Sequence, residues 1–190
     1  MFILYAVLGG LLIGLVSGGS IERLGRLQLR WAPLIAIGMI AQLALFSTSV
    51  GDTLGAAAPW VYVLTNALVL VAVARNLAVP GLALVLVGGL ANVVAIVANG
   101  GYMPVSPGAL QAMGRLPREG YTNSRLVDGV VLGPLTDLFA MPAWLPVANV
   151  FSIGDVLIGV GAAIAIVAAM HGRGPLERRA DPASPGGEPA

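Results

Sequence analysis

The amino-acid sequence predicts an all-α fold, a polytopic membrane helix bundle of about five transmembrane helices with an extracytoplasmic cap between helices four and five. Hydrophobic residues make up 57% of the 190 residues and charged residues only 10%. Uncharged apolar runs cover residues 2–21, 31–51, 53–74, 76–114 and 156–170. A helix needs roughly 20 apolar residues to cross about 30 Å of hydrocarbon, where every backbone polar group must be satisfied internally. Each run is therefore predicted to be a membrane helix rather than the core helix of a soluble protein.

The element boundaries follow from the positions of proline and glycine. Pro59 and Pro80 fall where a first helical turn tolerates proline, and the Asn-Gly-Gly run at 99–101 is a helix stop signal. The predicted spans are residues 2–20, 31–49, 59–74, 80–98 and 150–170. The chain is thereby divided into helices one to four (1–99), a cap segment (100–149), helix five (150–171) and a tail (172–190). The tail is rich in proline, glycine and charge, so it is predicted to be disordered in the cytoplasm.

Arginine in the short connections predicts the orientation. The first loop contains three arginines, the third contains Arg75, and the tail contains three more, whereas the second loop has Asp52 and no arginine. Short cytoplasmic loops are enriched in basic residues. The sequence therefore predicts a multi-pass protein of the bacterial cytoplasmic membrane, with the N-terminus outside and the C-terminus in the cytoplasm.

Residues 100–149 are then extracytoplasmic and are expected to lie on the membrane face as an interfacial or re-entrant element. Ser106-Pro107 is typical of a helix start and predicts a short helix through Met113. Small residues recur every four positions on the first and last helices, which favours close helix packing. Packing within the chain is the favoured interpretation of these small residues, and a homodimer is left open: Gly10, Gly14, Gly18, Gly161, Ala165 and Ala169.

Polar groups inside apolar helices are the default functional candidates. Gln42, Asn66, Asn92, Asn99 and Asp155 are such groups, and Ser152 lies just before the last helix. For the amides, a hydrogen bond between helices is the favoured interpretation. Asp155 is either an acid that stabilises the helix start or a functional carboxylate, and these two alternatives are weighed equally.

Asp137 could join Asp155 at the outer face of the membrane. It lies 18 residues earlier, before a connection that contains Pro142 and Pro146. If that connection folds back, the two carboxylates would form an acid–base pair with one member protonated and the other ionised. The alternative is that Asp137 is a solvated loop residue.

Composition limits the cofactors and partners. The net charge is +1, which gives no indication of nucleic-acid binding, and cysteine is absent, so a thiolate nucleophile and a cysteine metal site are excluded. The single histidine, His171, is interpreted as a helix cap rather than a ligand. No cofactor and no metal are expected. Membrane lipid is the expected partner, and another membrane protein is a further candidate.

Two motif pairs resemble known families. Asn99-Gly-Gly-Tyr-Met-Pro-Val105, followed by Asn149-Val-Phe-Ser-Ile-Gly-Asp-Val-Leu-Ile158, resembles a bacterial family of small multi-span membrane proteins of unknown function. This resemblance implies a membrane location without an assigned activity. Gly133-Pro-Leu-Thr-Asp137, followed by Ile153-Gly-Asp155, resembles the two aspartate motifs of lipoprotein signal peptidase. That resemblance implies that Asp137 and Asp155 form a catalytic dyad at the outer membrane face.

Three functional hypotheses follow from the sequence. The first is a binding or accessory module, with no assigned reaction, whose cap is the interaction surface. The second is an aspartyl endopeptidase that uses Asp137 and Asp155. The third is a small-solute transporter, which is the weakest because only Gln42, Asn66 and Asn92 lie at depth and none of them is charged.

Overall fold

The computed structural model describes residues 2–47, 49–114, 124–126 and 128–175. This part of the chain is mostly helical. Its helices and strands are α1 Phe2–Val16, α2 Ile21–Gly25, α3 Ala32–Ser47, α4 Val50–Leu54, α5 Ala58–Ala74, α6 Leu82–Ala98, β1 Met103–Pro104, α7 Pro107–Ala112, β2 Ser124–Arg125, β3 Phe139–Ala140, β4 Val150–Phe151 and α8 Ile153–Met170. Single 3₁₀ turns occupy Gly55–Ala57 and Gly133–Leu135.

Two helical stretches are long and apolar enough to cross a membrane. One is Val50–Ala74, in which α4, a 3₁₀ turn and α5 follow one another without a break, and the other is α8. Three shorter apolar helices, α1, α3 and α6, accompany them. Five apolar helical segments are therefore present where five spans were predicted, and two of them meet the length expected of a span.

The apolar helices pack in the order α1, α8, α6, α5, α3, so the last helix inserts between the first and α6. α1 and α8 run parallel, because Phe2 lies beside Phe151 at their starts and Gly14 lies beside Met170 at the end of α8. α6, α5 and α3 then alternate in direction along the row. The starts of α1, α5 and α8 and the ends of α3 and α6 consequently meet at one end of the bundle, here called the cap end.

The other end, here called the basic end, is formed by the connections 17–31 and 75–81 and by residues 171–175. Asn76 joins the two connections, because its side chain accepts from the Arg30 N–H at 2.7 Å and donates to the Arg30 carbonyl oxygen at 2.8 Å. His171 joins α8 to the first connection through a 3.1 Å contact between its Nε2 and the Ser17 carbonyl oxygen. Its Nδ1 lies 2.9 Å from the Val167 carbonyl oxygen, so the imidazole sits on the last turn of the helix, as predicted.

Small residues allow the helices to approach closely. A Cβ at Gly10 would lie 2.7 Å from the Ala163 Cα of α8, and a Cβ at Gly161 would lie 2.6 Å from the Gly81 carbonyl oxygen. The prediction that these small residues pack within the chain is confirmed. Gly18 is an exception, because it lies beyond the end of α1 with φ +85° and a Cβ there would meet nothing within 4 Å.

The outward faces of these helices are apolar. Large apolar side chains are exposed on α1, α3, α5, α6 and α8, whereas the residues buried where these helices contact one another are mostly small or polar. A soluble monomer rarely exposes such a continuous apolar surface. This distribution is typical of helices that are surrounded by lipid.

Several predicted boundaries were wrong. The last helix begins at Ile153 rather than at 150, because Val150–Phe151 pairs with Phe139–Ala140 as an antiparallel strand. The first helix ends at Val16 rather than at 20, because the Gly19 N–H donates to the Gly14 carbonyl oxygen and closes the last turn.

The described part of the chain is mostly helical, as predicted, and the cap with the residues just before α8 adds four strands of two residues each to its helix and turns. β1 pairs in parallel with β2, and Val105 forms a parallel bridge to Asp137. The predicted short helix after Ser106 is confirmed as α7. Of the predicted tail, residues 176–190 lie outside the described residues. Residues 172–175 are placed, and the Gln28 N–H donates to the Pro175 carbonyl oxygen.

Candidate functional site

Three polar side chains form a closed hydrogen-bonded ring at the cap end of α6 and α8. The Asn92 side-chain N–H donates to Asp155 Oδ1 at 2.8 Å, and Ser152 Oγ donates to Asn92 Oδ1 at 2.8 Å. The Asp155 backbone N–H donates to Ser152 Oγ at 3.0 Å and completes the ring. Ser152 is 0% exposed, and Asn92 and Asp155 are half-buried.

Local sequence places Ser152 and Asp155. Ser152 is the N-cap residue of α8, and Asp155 stands three residues later, so the two form a reciprocal capping box. The Ser152 N–H donates to Asp155 Oδ2 at 3.2 Å. Two backbone N–H groups at the helix start are thereby satisfied, and the carboxylate lies where the helix dipole favours negative charge.

Asn92 reaches this capping box because α6 approaches α8 without intervening side chains. A Cβ at Gly154 would collide with Asn92 Oδ1, and a Cβ at Gly88 would collide with the Gly154 carbonyl oxygen. The amide of α6 is therefore held directly over the first turn of α8. This arrangement confirms the interpretation of Asn92 as a hydrogen bond between helices.

Tyr62 is a buried polar side chain on α5, one turn before Asn66. The Asn66 side-chain N–H donates to the Tyr62 carbonyl oxygen at 2.8 Å. The sequence reasoning missed Tyr62. The sequence carried no signal for its burial, because a tyrosine in an apolar helix also suits an interface and only the packing of α5 buries this one.

Asp137 is buried, with 4% of its surface exposed, so the interpretation as a solvated loop residue is wrong. Its backbone N–H donates to the Pro104 carbonyl oxygen at 3.0 Å, and its carbonyl oxygen accepts from the Ser106 N–H at 3.0 Å. These bonds to the chain on both sides of Val105 fix Asp137 inside the cap. The catalytic dyad of Asp137 with Asp155 stays a prediction.

Asn99 has a different role from Asn92. Its side-chain N–H donates to the Val131 carbonyl oxygen at 2.9 Å, and its Oδ1 accepts from the Val131 N–H at 2.9 Å. It thus ties the end of α6 to the cap backbone. The interpretation as a hydrogen bond between helices is wrong for Asn99, because Val131 lies in the cap, and its role as a polar site stays a prediction.

The hydrogen bonds of Asp155 give it a positioning role. Its Oδ1 accepts from Asn92 and holds α6 to the start of α8, and its Oδ2 accepts from the Ser152 N–H and caps α8. Within the described ranges, no group of three His, Cys, Asp or Glu side chains could hold a metal ion.

Comparison with known proteins gives one match. The chain matches a protein family described as a family of unknown function (DUF5317) over residues 26–167. No curated protein and no solved structure matches. The predicted resemblance to a family of unknown function is confirmed. The resemblance to lipoprotein signal peptidase stays a prediction.

Proposed function

This chain belongs to the DUF5317 family, whose function is unknown, and we propose that it is a five-span protein of the bacterial cytoplasmic membrane whose outer cap binds membrane lipid. The proposal makes it a binding or accessory module rather than an enzyme. It is carried by one observation: a cap that is fixed to several helices presents exposed apolar side chains to its surroundings.

The direction of the helices supports five spans. The five apolar helical segments alternate in direction along the chain, and each connection between them lies at one of the two ends of the bundle. α1, α3 and α6 have 15 to 17 residues, so each rises about 22–26 Å at 1.5 Å per residue. Helices of this length can span a membrane when the residues that flank them lie in the interfacial layers.

The charge distribution supports the orientation. Among the described residues, the basic end has five arginines and one glutamate, and the cap end has four aspartates and one arginine. Short cytoplasmic connections are enriched in arginine and lysine. The basic end is accordingly assigned to the cytoplasm and the cap to the outside.

The attachment of the cap supports a fixed binding surface. The Phe2 N–H donates to Asn149 Oδ1 at 2.9 Å, and the Tyr5 hydroxyl donates to the Pro146 carbonyl oxygen at 2.8 Å. Together with the Asn99–Val131 pair, these bonds tie the cap to α1 and α6. A surface that is ordered before binding loses little conformational entropy when a partner docks.

Trp144 is the centre of the proposed lipid contact. It is 80% exposed and lies in a loop, two residues before Pro146, whose carbonyl oxygen accepts from Tyr5 of α1. Since α1 is shorter than the hydrocarbon layer, this loop would complete the apolar thickness on that side. Tryptophan is enriched at membrane interfaces, which fits this position.

We expect topology labelling to place the two ends on opposite sides of the membrane. The chain has no cysteine, so Asp128→Cys and Arg173→Cys each introduce a single thiol, and both positions are exposed. A membrane-impermeant maleimide added to intact cells should label Asp128→Cys at the cap end and leave Arg173→Cys unlabelled until the cells are opened. Equal labelling of both variants in intact cells would contradict the orientation.

We expect Trp144 to contact lipid. A variant with Trp31→Phe and Trp60→Phe retains Trp144 as its single tryptophan. In vesicles, brominated acyl chains should quench its fluorescence more strongly than aqueous iodide. Strong iodide quenching without quenching by bromine would show a water-facing cap and would reject the lipid contact in favour of a protein partner.

A second candidate function, aspartyl endopeptidase, is supported by the burial of Asp137, which is 4% exposed and lies in the cap at the same end of the bundle as Asp155. It predicts removal of the signal peptide from a diacylglyceryl prolipoprotein in membranes that lack signal peptidase II. Asp137→Asn and Asp155→Asn should each abolish the cleavage. Absence of cleavage by the inserted wild type excludes this activity.

A further inference from the structure

A strained residue stands at the start of α3, at the basic end. Trp31 has φ +61°, a left-handed conformation that is uncommon for a bulky residue and persists only when its surroundings hold it. The residue before it is fixed at both backbone polar groups by Asn76, whose side chain is buried and also donates to the Ala72 carbonyl oxygen at 2.7 Å. The end of α5 therefore sets the position from which Trp31 projects.

This conformation leaves the indole between a cation and an apolar groove. The Arg75 Cζ lies 4.6 Å from the ring centroid, which is within the range of a cation–π contact. Trp31, Pro33 and Leu34 line an open groove of about 380 Å³. Trp31 remains 45% exposed, so the groove opens to the outside of the bundle.

The surroundings of the groove are basic. Arg30 precedes Trp31 in the chain, and Arg75 lies over the Trp31 ring. Both arginines are exposed. The acidic residue at this end among the described residues is Glu22, which lies 3.9 Å from Arg26. Positive charge therefore exceeds negative charge around an opening whose walls are apolar.

We propose that this groove binds one anionic phospholipid of the cytoplasmic leaflet. An acyl chain lies along Trp31, Pro33 and Leu34, and the phosphate lies between Arg75 and Arg30. An apolar wall beside guanidinium groups fits a lipid better than a free anion, because a free anion has no apolar part to contact the groove. The inference rests on the proposed membrane orientation, since basic pockets between helices on the cytoplasmic side suit anionic headgroups.

Lipid selectivity tests the proposal on the full chain in phosphatidylcholine bilayers. Spin-labelled phosphatidylglycerol and spin-labelled phosphatidylcholine are compared by the fraction of label that the protein immobilises. The wild type should prefer phosphatidylglycerol about 25-fold, as expected for two basic residues near a headgroup at about fivefold each. Arg75→Gln should reduce the preference to about fivefold because Arg30 remains, and Arg75→Lys should retain most of the wild-type preference because the charge remains.

Arg125→Gln is the matched control. Arg125 lies over the Tyr102 ring at 5.1 Å at the cap end, so it is a similar arginine–aromatic pair on the other side of the bundle. This variant should keep the wild-type preference. The proposal is overturned if both glutamine variants lose the preference equally, or if the wild type shows none. It is also overturned if added inorganic phosphate removes the preference at an ionic strength where another salt does not, because the site would then bind the free anion.

The same spectra separate this inference from the proposed function. A protein that spans the membrane immobilises a shell of phosphatidylcholine whether or not it selects anionic lipid. Absence of any immobilised lipid would reject the membrane-spanning proposal, whereas an unselective shell would reject the lipid site alone. A variant that immobilises as much phosphatidylcholine as the wild type is correctly inserted, so a loss of selectivity in it is specific.

Discussion

Gly88→Ala is expected to lower the free energy of unfolding by about 3 kcal/mol, the upper range for overpacking a tight interface. The added Cβ would collide with the Gly154 carbonyl oxygen and lie 2.8 Å from the Leu157 Cβ. A backbone atom cannot rotate away as the end of a flexible side chain can, so α6 and α8 must separate. That separation also pulls Asn92 from Asp155.

The effect can be measured by titrating the protein from mild detergent into sodium dodecyl sulfate and following tryptophan fluorescence. Gly9→Ala is the matched control, because Gly9 is also in a helix and a Cβ there would meet nothing within 4 Å. It should be neutral or stabilising by about 0.5–1 kcal/mol, since alanine restricts the unfolded chain. Equal destabilisation by both substitutions would show that helical glycine itself, and not the close approach, is responsible.

Asp155→Ala is expected to lower the free energy of unfolding by about 2 kcal/mol. The substitution leaves the Asn92 amide and the Ser152 N–H without their acceptors, and each buried unpaired group costs about 1–3 kcal/mol. Relief from holding a carboxylate inside the protein offsets part of this loss. Asp155→Asn should cost less, about 1 kcal/mol, because one acceptor oxygen remains.

A double-mutant cycle identifies the cause. Asn92→Ala and Asp155→Ala should be non-additive by about 0.5–2 kcal/mol, because both remove the same hydrogen bond. Val156→Ala, on the neighbouring half-buried position of α8, should add independently to Asn92→Ala. Full additivity of the first pair would contradict the ring as a coupled unit.

Much of the helical architecture was predictable because apolar runs carry a strong local signal. The five runs, the short helix after Ser106 and the packing role of Gly10 and Gly14 all follow from residue type and spacing. Helix ends were less predictable. The start of α8 was placed three residues too early, because Val150 and Phe151 are as apolar as a helix interior and only their pairing with Phe139 and Ala140 makes them a strand.

The candidate site was predicted as separate residues and not as an arrangement. Asn92, Ser152 and Asp155 were each identified as polar groups in an apolar setting, but residues 60 and 63 positions apart meet only when α6 packs against α8. Tyr62 was missed because tyrosine in an apolar helix is common at interfaces, and its burial is a property of the bundle.

The sequence by itself determined that the chain forms apolar helices, that its arginines collect in short connections, and that Ser152 and Asp155 can cap one helix. These are consequences of composition and of spacing over a few residues. Only the tertiary structure decided which helices touch, that Asn92 closes a ring with the capping box, and that Arg75 lies over Trp31 beside a groove. Such contacts depend on how entire helices pack, and in a chain whose helices are apolar on every face, amphipathic periodicity does not identify the partner of each helix.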